Sequence, residues 1–516
     1  MLKADYTPEL TPLDYQLFSQ LVLEDHYLRR LKAAVDFSPL RPLLADCYSP
    51  EMGRSALDPV CLLKLLLLQF HYGWSDESVI QQAQVNVAMR FFLDWPLAAP
   101  LPDPSLLTHF RKRLGAERLQ RVFDEILKQA RAAGLVKDRL RLKDATHVIA
   151  NIAVPATIQL IAQVREKLLA TAESFAPSEV AQHRQEAAVI RTATADLNDP
   201  ARLLRRVEHL RTLVSWADAW QPRLELGAPP VSTQVYENFT TALGLARKVL
   251  GDREPAAPDQ LRSLTDPDAR RNKHGAYYDG YLLDVSMDAD SELICAVDLL
   301  PSNSDEAANA KHLIESEEAA HGNDVERLSM DAIGYNGAVL KALSDDPEGP
   351  QLVVYAPPIE FNQPTPGLFQ ADDFALNEAG DRLSCPQGQQ TTTRSRHKRG
   401  HGWQYHFSAA QCRHCPLRGQ CLKPETRGGR TVNKNDYAAQ YAAAQQRATT
   451  DEFQQIRKEH PAIERKLNEL VRWHDGRRVR YRGRLRVKVQ YLLLAVVVNC
   501  KRIVRLLTPA PVAQPA

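Results

Sequence analysis

Between two stretches that read as β-structure lie some hundred residues that read as helix, and this interruption constrains the fold more than any other feature of the chain. Arg139 opens an alternation in which Leu140, Leu142 and Asp144 share one face of an extended segment that continues as THVIANI. Residues 155–265 return to helical spacing, rich in Ala, Leu, Arg and Gln, with breaks at 198–200, at Pro229 with Pro230, and at 254–258. The β-pattern resumes at 277–287 and 292–300, and Asp288, Ala289, Asp290 and Ser291 between them are turn residues suited to a hairpin. A sheet begun before the helical stretch must therefore be completed after it.

The elements that follow are shorter. Ser304 opens a helix to Ile314, 325–330 is a strand ending at Asp331, 336–343 is helical and 351–355 is a last strand. With the insertion removed, the order is three strands, helix, strand, helix, strand and a later helix. This order matches an α/β, ribonuclease H-like core. A doubly wound nucleotide-binding sheet would need more helices between its early strands, and no Gly-rich phosphate loop follows any strand.

Ahead of the core the pattern is helical. Residues 1–50 show no clear period and read as an irregular arm with one helix at 14–31. The apolar run 57–70, with Pro59 where a first turn tolerates it, predicts a buried helix. Ser75 caps a second helix through Phe92, and Asp103 with Pro104 starts a third over 105–114 that carries His109, Arg111, Lys112 and Arg113. Three short helices with a basic last one suggest a helix-turn-helix-like unit, a pattern shared by any small bundle with a solvated face. The expected divisions are an arm at 1–50, a helical domain at 51–135 and a core at 136–372 with its insertion at 153–268. A Cys-rich segment follows at 373–428, then a C-terminal helix and basic segment at 429–516.

At 516 residues the chain exceeds what one hydrophobic core serves, and 44% apolar with 25% charged residues excludes global disorder and fibrous repeats. Lys and Arg outnumber Asp and Glu only by 65 to 63, so net charge names no partner. The opening MLKADYTPEL lacks the basic start and apolar run of a signal peptide. The longest apolar runs, 62–70 and 491–500, are too short to span about 30 Å of hydrocarbon, so the expectation is a cytoplasmic chain without a membrane partner. Cys47, Cys61, Cys295 and Cys500 lie singly in apolar contexts and read as buried thiols.

Asp144, in KDATH, and Asp331, in MDAIGYNG, both emerge from strand ends. Carboxylates converging on one rim of an α/β sheet can share divalent cations through hard oxygen ligands. The helix starting at Pro461 turns Ile463, Leu467, Leu470 and Val471 inward, with Glu464 on the border of that face. This predicts a half-buried Glu464, unlike Glu469, as third ligand. Glu459, which precedes Pro461, is the fallback.

At these residues the chain resembles a known family. SALDPVCLLKLLLLQFHYGWSDESVIQQ, DPSLLTHFRKRLG, KDATH, SMDAIGYNG and VRYRGRLRVKVQYLLLAVVVNCKRI are similar to successive landmarks of bacterial insertion-sequence transposases of the DDE type, the first two to their InsH-like N-terminal domain. The resemblance implies that Asp144, Asp331 and Glu464 are a catalytic triad binding Mg²⁺, or Mn²⁺, for DNA cleavage and strand transfer. It also implies double-stranded DNA partners, namely terminal inverted repeats and target, and a homodimer that brings two ends together. One departure is visible. Relatives carry Tyr, Arg and Lys around the glutamate, where this chain has Arg457, His460 and Val471; Lys466 and Arg472 are the nearest substitutes.

Local charge agrees with a nucleic-acid partner. From 472 to 505 eleven Lys and Arg face only Asp475, and Arg477, Arg478, Arg480, Arg482, Arg484, Arg486 and Lys488 form the dense part, expected with Arg111, Lys112 and Arg113 to contact phosphates. His147 and Asn151 can orient water or phosphate near Asp144, and Asp305 reads as a first-turn helix residue. Cys385, Cys412, Cys415 and Cys421 can hold Zn²⁺ or stay free thiols, with His401, His406 and His414 as replacement ligands and Arg394, Arg396, Lys398 and Arg399 as nearby DNA contacts. Two other functions share these features: a DNA-binding derivative that no longer cuts, and a metal-dependent nuclease without strand transfer.

Overall fold

The computed structural model describes residues 8–49, 56–196, 199–253, 257, 259–359, 367–397 and 401–508. Lys398, Arg399 and, Ala257 aside, the break at 254–258 lie outside them. The helical N-terminal part comprises α1 (Pro12–Leu21), α2 (Tyr27–Ala34), α3 (Leu40–Ala45), α4 (Pro59–Tyr72), α5 (Asp76–Val85), α6 (Val87–Leu93) and α7 (Ser105–Ala132). The irregular arm expected over 1–50 is corrected: α1 to α3 are ordered helices, and Leu28, Leu31, Phe37, Leu40 and Leu44 are buried in the main core. Period failed as a signal because each helix is at most ten residues long and shows the core only one or two turns.

Local chemistry sets the ends of α4. Asp58 accepts from the Val60 N–H at the start, Pro59 occupies the first turn, and Gly73 closes the helix in the left-handed region. Between them 61–70 are buried on every side, as a helix apolar all round must be, with Lys64 and Gln69 satisfied by Asp94 and Asp76. The second helix expected to run to Phe92 is split. Asn86 leaves helical conformation, ends α5 and accepts from the Met89 N–H as the cap of α6.

The third helix is longer than its first apolar stripe implied, reaching Ala132 across a kink at Gly115. There φ is 60° and ψ −178°, a region open essentially to glycine alone. A Cβ at Gly115 would touch nothing within 4 Å, so only the backbone resists substitution. Gly115→Ala is expected to cost about 1–3 kcal/mol, read as a drop in thermal midpoint.

The sheet begins with β1 (Arg141–Ile149). Four insertion helices follow, α8 (Thr157–Ala172), α9 (Pro177–Ala193), α10 (Arg202–Glu225) and α11 (Thr233–Gly251), with an apolar core of their own. The chain returns as β2 (Arg270–His274), β3 (Ala276–Asp288), β4 (Ile294–Pro301), α12 (Ala310–His321), β5 (Arg327–Ser329), α13 (Gly337–Ser344) and β6 (Val353–Tyr355). The sheet order is β2-β3-β1-β5-β6, with β4 also paired to β3. β1 and β4 run antiparallel to β3, whereas β5 and β6 run parallel to β1. The helix expected to open at Ser304 begins six residues later, because Asp305 accepts from the Ala307 and Ala308 N–H groups and holds a turn there.

The Cys-rich segment forms two small three-stranded sheets from β7 (Ala375–Leu376), β8 (Leu383–Ser384), β9 (Gln390–Thr391), β10 (Arg394–Arg396), β11 (Trp403–His406) and β12 (Thr431–Lys434). Short helices α14 (Ala409–Arg413) and α15 (Arg418–Cys421) lie between β11 and β12. The chain ends with α16 (Ala438–Ala448), α17 (Asp451–Glu459), α18 (Pro461–Asn468), a π turn at Glu469–Trp473 and α19 (Arg484–Leu507). Residues 489–500 of α19 are wholly buried, and Val487, Leu492, Leu493 and Val496 share one apolar core with α2, α4, α7 and β4. The C-terminal helix thereby joins the N-terminal helices to the sheet.

Candidate active site

Register explains how two distant aspartates meet. β1 and β5 pair in parallel with Leu142 opposite Ser329, and pairing stops there. Asp144 and Asp331 each lie two residues further along, where β5 has ended and the β1 edge is open. Asp144 is consequently mid-strand, not at the end of β1 as its sequence suggested, and both carboxylates are half-buried. Asp331 accepts from the Ile333 N–H, which fixes its side chain at the turn after β5.

Two further carboxylates complete the rim. The helix pair α17–α18 is pinned to β5: Arg457 Nη1 donates to the Met330 carbonyl at 2.7 Å, and His460 Nδ1 lies 3.0 Å from Ser329 Oγ in the interior. One turn beyond, Glu464 lines a cavity of about 620 Å³ together with Asp144, Asp331, Glu306 and His147. Glu464 is exposed and Glu469 is the half-buried one, the reverse of the helical-face reading. The cavity presents a lone wall to Glu464, whereas Glu469 is drawn under Lys466 and Lys501 at 3.1 and 2.7 Å. Lys466 is thus engaged away from the cavity. Glu459 pairs with Arg139.

Glu306 escaped sequence reasoning, which settled on its neighbour Asp305. Its position comes from below: Lys143 Nζ reaches the Glu306 carbonyl at 2.6 Å and the buried Asp284 at 3.0 Å, while Asn309 Nδ2 donates to the other Asp284 oxygen. The only sequence signal was an acidic pair just past β4. His274 was also missed; its ring lies 4.7 Å from that of His147, which also meets Tyr278 at 4.9 Å. Asn151 is exposed and does not line the cavity; its carbonyl accepts from Arg482.

Electrostatics mark the cluster as short of positive charge. Burial, with Asp331 and Glu306 nearby, pushes Asp144 up to about 7, and burial raises Glu306. His147 is held down to about 4 by burial, Arg477 and His274, and is neutral at ordinary pH. Hard carboxylate oxygens that repel one another are the donor set a divalent cation relieves, and these residues fit one.

A stability consequence follows for the metal-free protein. The folded Asp144 binds its proton more tightly than the unfolded chain, whose value is near 3.9, so stability falls as pH rises from about 4 to 7 and stays reduced above. Asp144→Asn is expected to raise the thermal midpoint at pH 8 without metal and to leave it little changed at pH 4, measured by calorimetry.

The basic residues divide into exposed and engaged. Lys112, Arg113, Arg478, Arg482, Arg484 and Arg486 are exposed. Arg111 corrects the expected phosphate contact: it pairs with Asp76, Nη1 to Oδ1 at 2.8 Å, and lies over the Tyr481 ring. Lys488 likewise pairs with Asp298 at 2.8 Å, and Arg480 donates to the Trp74 carbonyl. Arg477 lines the cavity and donates to the His147 carbonyl. Arg394 and Arg396 both lie over Trp403.

Cys385, Cys412, Cys415 and Cys421 are free thiols around one space of about 30 Å³. Burial raises Cys421, and the other three cysteines add to the shift. A bound zinc would draw four sulfurs to about 3.8 Å from one another. Among the described residues, the three His, Cys, Asp or Glu side chains with ligand atoms all within 4.8 Å are elsewhere, at His183, Glu186 and His209. His406 faces Ser395 and Thr431, and His401 packs on Tyr437.

The family model described as Transposase domain (DUF772) matches residues 16–113, and that described as Transposase DDE domain matches 384–504. The first begins inside the expected arm, in agreement with the packing of α1 to α3. No curated protein and no solved structure matches the chain. No helix among the described residues is long and apolar enough to cross a membrane.

Proposed function

Because the chain belongs to the insertion-sequence transposases of the DDE type, we propose that Asp144, Asp331 and Glu464 are its catalytic metal ligands on a ribonuclease H-like core. The observation that carries this reading is the cavity shared by the three carboxylates, two of which each lie two residues beyond the last pair of the parallel strands β1 and β5. The chain binds the terminal inverted repeats of its element, cleaves the phosphodiester, and joins the freed 3′-hydroxyl to target DNA in a second in-line displacement. Its setting is the cytoplasm, as a homodimer that holds two ends.

Divalent cations, Mg²⁺ or Mn²⁺, held by the three carboxylates would supply activation of the attacking oxygen and neutralisation of the leaving one. The chain's own residues do the positioning. Arg457 holds the Met330 carbonyl, keeping Asp331 at the rim, and Arg477 presents a cation to an entering phosphate. His147, neutral and packed at a tilt against His274, offers a ring nitrogen to orient water. Glu306 adds negative charge that a cation offsets. The four cysteines line one space and would hold Zn²⁺ there, as a separate, structural matter, once drawn together.

Purified protein with labelled element ends and Mg²⁺ is expected to yield cut ends carrying 3′-hydroxyls. Binding without cleavage, in Mg²⁺ or Mn²⁺, would establish the alternative of a DNA-binding derivative, which the exposed Glu464 and the altered residues at 457, 460 and 471 favour. Cleavage without joining would identify a nuclease. The exposed cations give a second measurement. Each phosphate neutralised contributes about 0.9 to the log–log salt slope of binding. Replacing Arg478, Arg482, Arg484 and Arg486 by Gln is expected to flatten it by about 3 to 4.

A further inference from the structure

The four-helix insertion carries a cluster that phosphodiester chemistry does not use. His183 and Glu186 stand three residues apart on α9, which places them on one face. His209 reaches them from α10. His183 Nδ1 is 3.1 Å and His209 Nε2 3.8 Å from the same oxygen, Glu186 Oε2. One ligand atom from each residue lies within 4.8 Å of the other two. Zinc bonds of about 2.0–2.2 Å to nitrogen and carboxylate set tetrahedral ligand atoms about 3.3–3.6 Å apart, between the two observed separations.

A second observation points to a ligand. The His209 side chain is only 6% exposed, and its Nε2, aimed at Glu186, has no hydrogen-bond partner. Leaving such an atom unsatisfied is costly in a folded interior. His183, 12% exposed, is oriented by the Trp216 ring at 4.9 Å, and Gln182 Nε2 donates to the other Glu186 oxygen at 3.1 Å. Outer partners of this kind hold ligands in place.

We propose that His183, Glu186 and His209 form a Zn²⁺ site that clips α9 to α10, its fourth position open to water beside the half-exposed Glu186. Two imidazoles and one carboxylate suit a borderline divalent ion better than Mg²⁺. No thiolate takes part, which separates the site from the cysteine cluster, and it stands whether or not the chain cuts DNA.

The test uses the full chain with Cys412→Ser, Cys415→Ser, Asp144→Asn and Asp331→Asn, which removes the other two metal-ligand sets, stripped of metal, titrated with Zn²⁺ by calorimetry and loaded with Co²⁺ for visible spectra. One zinc equivalent is expected, with Co²⁺ ligand-field bands and no thiolate charge-transfer band. Glu186→Gln, a near-isosteric change at a half-exposed position, is expected to weaken binding more than ten-fold, and His209→Ala to abolish it. No zinc uptake by the Cys-replaced chain, uptake with a thiolate band alone, or unchanged affinity in Glu186→Gln overturns the proposal.

Discussion

Asp144→Asn and Asp331→Asn are each expected to lower the rate of DNA-end cleavage by about 10³-fold or more, on the order of 4 kcal/mol of lost transition-state stabilisation, while leaving end binding within a few-fold of wild type. On the proposed reading the two effects separate because exposed cations elsewhere would carry binding, whereas the chemistry would need every oxygen that faces the metal. An amide keeps the size and one acceptor oxygen but loses the charge that holds a cation. Single-turnover cleavage and filter binding, run on the same preparations, check this. Glu464→Gln is expected to behave like the aspartate variants, and Glu459→Gln like wild type, since Glu459 is paired with Arg139. If the Glu459 variant loses cleavage and the Glu464 variant keeps it, the third ligand is wrongly assigned. Substituting either aspartate without loss of cleavage would remove the basis of the proposed function.

The largest stability effect is expected at Arg141, directly ahead of the site. Its guanidinium is fully buried and meets three carboxylates: Glu317 through Nε and Nη2, Asp288 through Nη1 at 2.8 Å, and Asp138. Arg131 Nη1 joins at Asp138 at 2.6 Å. Glu317 lies on α12 and Asp288 ends β3, so this one cation ties the first strand to its neighbour and to the helix behind the sheet. Arg141→Met would fill most of the volume yet leave the buried Asp288 without a cation and Glu317 with Arg131 alone, and should cost about 3–5 kcal/mol. Urea unfolding followed by tryptophan fluorescence reads the loss. A neutral result would mean that the network is dispensable, and that β1 is held by packing and pairing alone. Burial works against ionisation of Asp138, yet Arg141 and Arg131 bring it below its ordinary value. Its contribution is therefore present above about pH 4 and is lost as pH falls further.

Different physical signals carried different parts of the molecule. Helix α4, the hairpin β3–β4 and the insertion were legible because each depends on local pattern: an unbroken apolar run, alternation around turn residues, and long helical spacing. The buried run in α19 was legible for the same reason. Short elements were not, since α1 to α3 have too few turns to show a period, and the segment from Ser304 trades helix for a turn through one Asp305 side chain. The aspartates were found from their places after strand-like segments, and a family resemblance tied them to Glu464. Glu306 was out of reach because its orientation depends on Lys143 and Asp284, residues of two other strands.

By itself, the sequence determined the long helices and the longer strands, where the sheet is interrupted, three of the four cavity carboxylates, and where basic residues concentrate. Tertiary structure alone decided that Asp144 and Asp331 each lie two residues beyond the last β1–β5 pair, that Arg111 and Lys488 answer to internal partners, and that Glu464 is open while Glu469 is drawn inward. The reason is physical. Periodicity reports which face of an element is apolar, but charge partners and strand register are chosen across the fold, by groups tens to hundreds of residues away.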